Sequence, residues 1–281
     1  MSGLRLSAGF ASCPLVTFTP LSRFILPLAL GLTLSVSAQT RPEDMQIFLL
    51  IGQSNMAGRG AVEAEDQAPH PRVFMLTKEL AWVPAVDPLH FDKPERIGTG
   101  PGKTFATELA DADPAAVIGL VPAAFGGSAL DEWKPGSPHY VNAVARAKEA
   151  LKHGQLAGIL WHQGEADSKP ELAATYAVRF AKMIAQLRAD LDAQDVPVIV
   201  GETGRFRPDG AAINAVLAKL PDFVPHCAFV SAEGLADKGD KIHFDSPAFR
   251  ELGRRYAAAW LTLRPAPVTM LHPVMLVPKK N

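Results

Sequence analysis

Residues 46–60 read QIFLLIGQSNMAGRG, and the fold turns on them. Ile47, Phe48, Leu49, Leu50 and Ile51 form an unbroken apolar run, with the length and composition of a strand buried on both faces. At Gly52 the run breaks into Gln53, Ser54, Asn55 and Met56. Open α/β sheets place their chemistry beyond the carboxyl ends of their strands. Ser54 stands just past such an end and is a candidate nucleophile; the alternative is a serine in a polar strand-to-helix turn.

Downstream, apolar runs alternate with helical periodicity. Residues 116–121, 156–161, 196–200 and 226–230 read as four more buried strands, and 73–76 as a short one. Residues 103–112, 141–152, 171–192, 211–220 and 246–263 read as helices. In the longest, Leu172, Tyr176, Phe180, Ile184, Leu187 and Leu191 recur every three or four residues. Ser246 is the expected N-cap of the last helix, with Pro247 in its first turn. This alternation predicts a mainly parallel sheet with helices on both faces, in a single domain spanning 39–264.

Two segments lie outside that domain. Residues 1–38 carry only Arg5 and Arg23 as charges, an apolar stretch after Arg23, and Val36-Ser37-Ala38 at their end, the pattern of a secretory signal cut after Ala38. The apolar stretch is short for a bilayer span, so the expectation is export to the periplasm or medium, with no stable membrane insertion after cleavage; an uncleaved anchor is the alternative. Residues 265–281 read as a tail. Cys13 leaves with the signal and Cys227 remains alone, so no disulfide is expected.

Composition narrows the function classes. With 28 basic and 29 acidic residues in 281, the chain has no electrostatic footprint for nucleic acid. GTGPGKT at 98–104 looks like a phosphate-binding loop, but Ile97 holds the place of its first glycine and no buried strand leads into it. It reads as a turn into a helix. The irregular, proline-rich segment 60–102 follows the first strand and is expected to form a wall of a pocket.

Four polar clusters follow strands or lie in the loop before the last helix: 52–55, 126–128, 162–165 and 240–243. Parallel strand ends point the same way, so the first three converge, and the fourth can fold over them. A serine nucleophile needs a neutral imidazole, which in turn needs a carboxylate to fix its tautomer. Asp240 and His243, three residues apart, fit that need; Asp237 and Asp245 compete for the carboxylate role and His162 for the imidazole. Oxyanion donors are expected from the Ser54 N–H, from an N–H of Gly126-Gly127, and from the Gln163 side-chain amide.

Together, GQSNM at 52–56, AFGGSALDEW at 124–133, WHQGEADS at 161–168 and DKIHFDSPAFRELGRRYA at 240–257 resemble the sialate O-acetylesterase (SASA) domain. This is a carbohydrate acetylesterase branch of the SGNH hydrolases, also called carbohydrate esterase family six. The resemblance spans about residues 45–260. It implies a three-layer α/β/α sandwich of the flavodoxin-like type and hydrolysis of acetyl esters on carbohydrate without metal or cofactor. It implies catalytic Ser54, Asp240 and His243, and an oxyanion hole of Ser54, Gly127 and Gln163. His162 and Glu165 then shape the floor of the site.

Three rival readings carry distinct signatures. An α/β-hydrolase needs Gly two residues after the serine, where Met56 stands. A metal-dependent deacetylase would use His162, Glu165 and Asp167, whose spacing does not match the helical zinc motif. A carbohydrate-binding protein without catalysis would use Trp82 and Trp133 as sugar platforms.

Overall fold

The computed structural model describes residues 44–264. The expected signal at 1–38 and tail at 265–281 lie outside the described residues. The strands are β1 (Met45–Gly52), β2 (Val73–Leu76), β3 (Trp82–Pro84), β4 (Ile118–Pro122), β5 (Gly154–His162), β6 (Val198–Gly201) and β7 (Cys227–Val230). The helices are α1 (Ser54–Ala57), α2 (Pro101–Ala112), α3 (Pro138–Ala150), α4 (Pro170–Asp190), α5 (Ala211–Leu217) and α6 (Ser246–Leu263).

One seven-stranded sheet runs in the order β3-β2-β4-β1-β5-β6-β7. Among the described strands of this sheet, only the β2–β3 pair is antiparallel. β1 is central, bonded to β4 on one side and β5 on the other. The chain builds the β2–β4 side first, then crosses through α3 to β5. The strand order therefore reverses at β1, and the crevice beyond its carboxyl end is where such sheets bind ligands.

The apolar run of β1 is continuous because both faces are covered. Ile47, Leu49 and Ile51 point into a core shared with Tyr140, Ala143, Tyr176, Phe180 and Ile213 of α3, α4 and α5. Phe48 and Leu50 point into the opposite core, with Met56, Phe105, Leu109, Phe249 and Trp260 of α1, α2 and α6. Each of these five β1 side chains is at most 1% exposed, a contribution of about 1.5–3 kcal/mol apiece. The result is a three-layer α/β/α sandwich.

Several boundaries differ from the periodicity. β3 lies in the proline-rich segment, where three residues are too few to show a period. α2, α3 and α4 begin at Pro101, Pro138 and Pro170, where a fixed φ and a missing N–H suit the first turn. The N-cap of α6 is Asp245 rather than Ser246: its side chain accepts from the Ala248 N–H at 2.8 Å. Ser246 Oγ instead donates to the Ala61 carbonyl. Residues 98–100 pair with the chain just after α1, through the Gly60–Thr99 bridge and the Gly98 N–H to Gly58 O bond. Among the described residues, no helix is long and apolar enough to cross a membrane.

Candidate active site

At the end of β1 the backbone turns sharply. Gly52 has φ +127°, and a Cβ there would collide with the His162 carbonyl of β5. Glycine thus lets β1 and β5 stay in contact up to the turn. The Gln53 N–H donates to His162 O at 2.9 Å, and Ser54 opens α1 directly above the sheet edge.

The loop before α6 brings the imidazole to it. Ser54 Oγ lies 3.0 Å from His243 Nε2, and His243 Nδ1 lies 2.7 Å from Asp240 Oδ2. The other Asp240 oxygen accepts the backbone N–H groups of Ile242 and His243, at 2.9 and 2.8 Å. One carboxylate thus shapes the turn and orients the ring. The rival carboxylates serve elsewhere: Asp237 accepts from the Gly239 N–H, and Asp245 caps α6.

Electrostatics suit these positions. Burial pushes the Asp240 carboxyl up, but the bonds from the His243 ring and the two N–H groups outweigh it and leave the pKa at about 2. Burial holds the His243 imidazole below its ordinary 6.5; Asp240 partly offsets this, while Lys238 and Arg59 add to the lowering. At neutral pH the imidazole is a free base beside an ionised carboxylate.

Asn55, next in the chain, secures the histidine loop. Its Nδ2 donates to Ile242 O at 3.0 Å and to Glu165 Oε1 at 2.5 Å, and its Oδ1 accepts the Phe244 N–H at 3.4 Å. Glu165 is buried and burial raises its pKa. His162 is fully buried, and burial lowers its pKa to about 3. Tyr256 OH donates to Trp161 O at 3.1 Å, so it receives the His162 Nδ1 proton at 3.0 Å. His162 is a neutral structural ring beneath the site.

A cavity of about 500 Å³ opens over Ser54, walled by Gln53, Arg59, Lys93, Gly127 and His243. Of the two candidate glycines, Gly126 has its N–H engaged by Asp92 Oδ2 at 2.7 Å. Gly127 takes φ +85°, a conformation that favours glycine, and its N–H donates to no other described residue. The same holds for the Ser54 N–H.

Gln163 requires a correction. Its Nε2 donates to Asp167 Oδ2 at 2.7 Å and to Ser128 O at 3.2 Å, and its Oε1 accepts from Tyr176 OH at 2.7 Å. Both amide hydrogens are engaged and the side chain is fully buried and does not line the cavity, so it offers no free donor there. The side-chain amide on the cavity wall is that of Gln53. Its Oε1 accepts from the Ala166 N–H at 3.3 Å, and its Nε2 bonds no other described residue.

The rival arrangements are also placed. Asp167 is held by Gln163, the Leu130 N–H and Arg179, away from His162. Among the described residues no group of three His, Cys, Asp or Glu side chains is placed to hold a metal. Trp133 is buried, its Nε1 donating to Ser128 Oγ, and neither it nor Trp82 lines the cavity. Asp92 and Lys93, which brace the second glycine block, left no sequence signal beyond the expectation that 60–102 forms a wall.

The model of one protein family, described as carbohydrate esterase, sialic acid-specific acetylesterase, matches residues 44–262. A probable carbohydrate esterase of Arabidopsis thaliana is 35% identical over 238 residues, covering 77% of this chain and 90% of that protein. An X-ray structure of an Arabidopsis thaliana protein superposes with a TM-score of 0.73 at 33% identity, over 78% of this chain and 98% of that one. The crystal structure of NanS gives a TM-score of 0.69 at 21% identity, over 79% and 98% of the two chains, a likeness of fold. The matched span holds the whole sheet and every residue around Ser54, and the chain belongs to the SASA family of carbohydrate esterases and is a carboxylic ester hydrolase.

Proposed function

We propose that this protein is a serine esterase that removes O-acetyl groups from an acetylated carbohydrate through an acetyl-enzyme intermediate. The observation that carries the reading is the continuous relay from Ser54 Oγ through His243 to Asp240, at 3.0 and 2.7 Å. Ser54 Oγ attacks the acetyl carbonyl while His243 Nε2 takes its proton, and Asp240 stabilises the imidazolium. The oxyanion sits between the N–H groups of Ser54 and Gly127, with the Gln53 amide as the donor on the adjacent wall.

Collapse of the tetrahedral species breaks the ester C–O bond, and His243 returns the proton to the departing sugar oxygen. Water, deprotonated by the same imidazole, then attacks the acetyl-enzyme and acetate leaves. Membership of a family of carbohydrate esterases described as sialic acid-specific acetylesterases, with a probable carbohydrate esterase as relative, supports an acetyl ester on carbohydrate as the substrate class. The reading includes export, carried by the leading segment; the amino-terminal sequence of the mature protein tests that part.

The central test is release of acetate from an aryl acetate and from acetylated glycans by wild type and Ser54→Ala. The reading expects a loss of about 10⁴-fold or more, and trapping of an acetyl group on Ser54 by rapid-quench mass spectrometry. Equal rates in the two proteins would refute it.

A further inference from the structure

Two residues of the proline-rich loop grip the Gly126 backbone from opposite ends. Asp92 Oδ2 accepts the Gly126 N–H at 2.7 Å, and Lys93 Nζ donates to the Gly126 carbonyl at 2.9 Å. Across a trans peptide the carbonyl of one residue and the N–H of the next point in opposite directions. A lysine fixed on Gly126 O therefore directs the Gly127 N–H away from itself, and it polarises that same amide.

The grip is tied to the nucleophile as well. Asp92 Oδ2 also accepts from Arg59 Nη2 at 2.6 Å, with both side chains buried. Arg59 Nη1 donates to Gly58 O at 2.7 Å, and the Gly58 N–H donates to Ser54 O at 2.9 Å. One network thus runs from the turn that carries Ser54 to the Gly126 N–H, one residue before Gly127. A side chain at position 126 would strike Arg59 and Asp92, so the network requires glycine there.

We propose that Lys93 and Asp92 are positioning residues of the oxyanion hole, holding Gly126 by its carbonyl and its N–H so that the Gly127 N–H faces the Ser54 oxyanion, with Arg59 tying Gly126 through Asp92 to the nucleophile turn. This rests on the serine-esterase reading above. It assigns a function to a loop that shares no strand or helix with the nucleophile. Lys93 and Asp92 act through the peptide and do not themselves take part in bond making.

The test compares wild type, Lys93→Met, Lys93→Arg, Asp92→Asn and Ser54→Ala in aryl acetate hydrolysis. It also measures inhibition by methylboronic acid, which forms a tetrahedral anionic adduct on an active serine. Lys93→Met is expected to lower kcat about 10- to 100-fold, below the roughly 100- to 1,000-fold of a deleted oxyanion donor. KM should stay within about threefold, and boronate inhibition should weaken in parallel with kcat. Lys93→Arg, which keeps a donor on the carbonyl, is expected to recover most of the rate.

Asp92→Asn separates positioning from simple attraction. Removing a negative charge beside an oxyanion strengthens boronate binding if attraction is all that matters, whereas positioning predicts weaker binding and a lower kcat. Wild-type kcat in Lys93→Met, or tighter boronate binding in Asp92→Asn, overturns the proposal. If Asp92→Asn does not fold, the half-buried Lys93 pair decides it alone. Wild-type activity in Ser54→Ala overturns the serine reading instead; an inactive Ser54→Ala beside a fully active Lys93→Met overturns only the positioning role.

Discussion

Asn55 Nδ2 donates to Glu165 Oε1 at 2.5 Å, joining the residue after Ser54 to the turn beyond β5 across 110 positions of chain. The same nitrogen reaches Ile242 O and the same side chain accepts from Phe244, the residues on either side of His243. One amide therefore sets the distance between the serine turn and the histidine loop.

Asn55→Ala is expected to lose about 2–3 kcal/mol of stability, because it strands a buried carboxyl and leaves loop backbone groups without partners. It should also lower kcat by about 10- to 100-fold as the Ser54–His243 geometry loosens. Urea denaturation and steady-state kinetics check the two effects.

Glu165→Gln preserves the acceptor and should retain most activity. Its stability should differ from wild type in a pH-dependent way. Burial raises the Glu165 pKa above 4.5, so the folded protein holds that proton more tightly than the unfolded chain. The contribution to stability is full below 4.5 and declines as pH rises through the folded value. The glutamine keeps a neutral group at all pH, so the variant should gain on wild type as pH rises. Paired urea melts at pH 4 and pH 8 read the difference.

For the pH profile, the serine-esterase reading requires a neutral His243 as base. Its pKa lies below 6.5, so the acid limb of kcat/KM should fall with a midpoint below that value. Asp240, at about 2, stays ionised throughout and adds no limb above pH 4. Lys238→Met removes a positive charge that disfavours the imidazolium, so the acid limb should move to higher pH. A profile that moves the other way would contradict the electrostatic account.

Asp240→Asn should lower kcat by about 10²- to 10⁴-fold, since an amide cannot stabilise the imidazolium and admits the wrong tautomer. KM for a small aryl acetate should change little.

Gln163 and Gln53 should separate stability from catalysis. Gln163→Leu leaves the Tyr176 hydroxyl, Asp167 and Ser128 O without a shared partner, an expected cost of about 2–4 kcal/mol. Gln53→Leu loses one 3.3 Å bond from Ala166, so its melting temperature should stay within a few degrees while kcat falls. Thermal melts beside aryl acetate kinetics distinguish the pair.

Much of the framework was legible in the chain. Ile47 to Ile51 had to be a strand covered on both sides, because five consecutive apolar side chains alternate between two faces. The spacing in α4 gave its buried stripe directly. Asp240 and His243 were legible because they act within one turn, so three residues of sequence contain their geometry. β3 was not legible, since three residues in a proline-rich segment carry no period, and the N-cap of α6 fell one residue early because Asp245 and Ser246 are both good caps.

The chain by itself determined the alternation of strands and helices, the serine at the end of the central strand, and the Asp–His pair, all properties of local pattern. Only the tertiary structure decided which amides near Ser54 stay free and which are engaged. Gln163 turns inward because Tyr176, Asp167 and Ser128, brought together from three segments, satisfy its amide at both ends. Gly127 rather than Gly126 presents a free N–H because Asp92, from a loop 34 residues upstream of Gly126, already holds its neighbour. A hydrogen bond direction depends on partners distant in sequence, and no residue's own identity encodes where those partners will be.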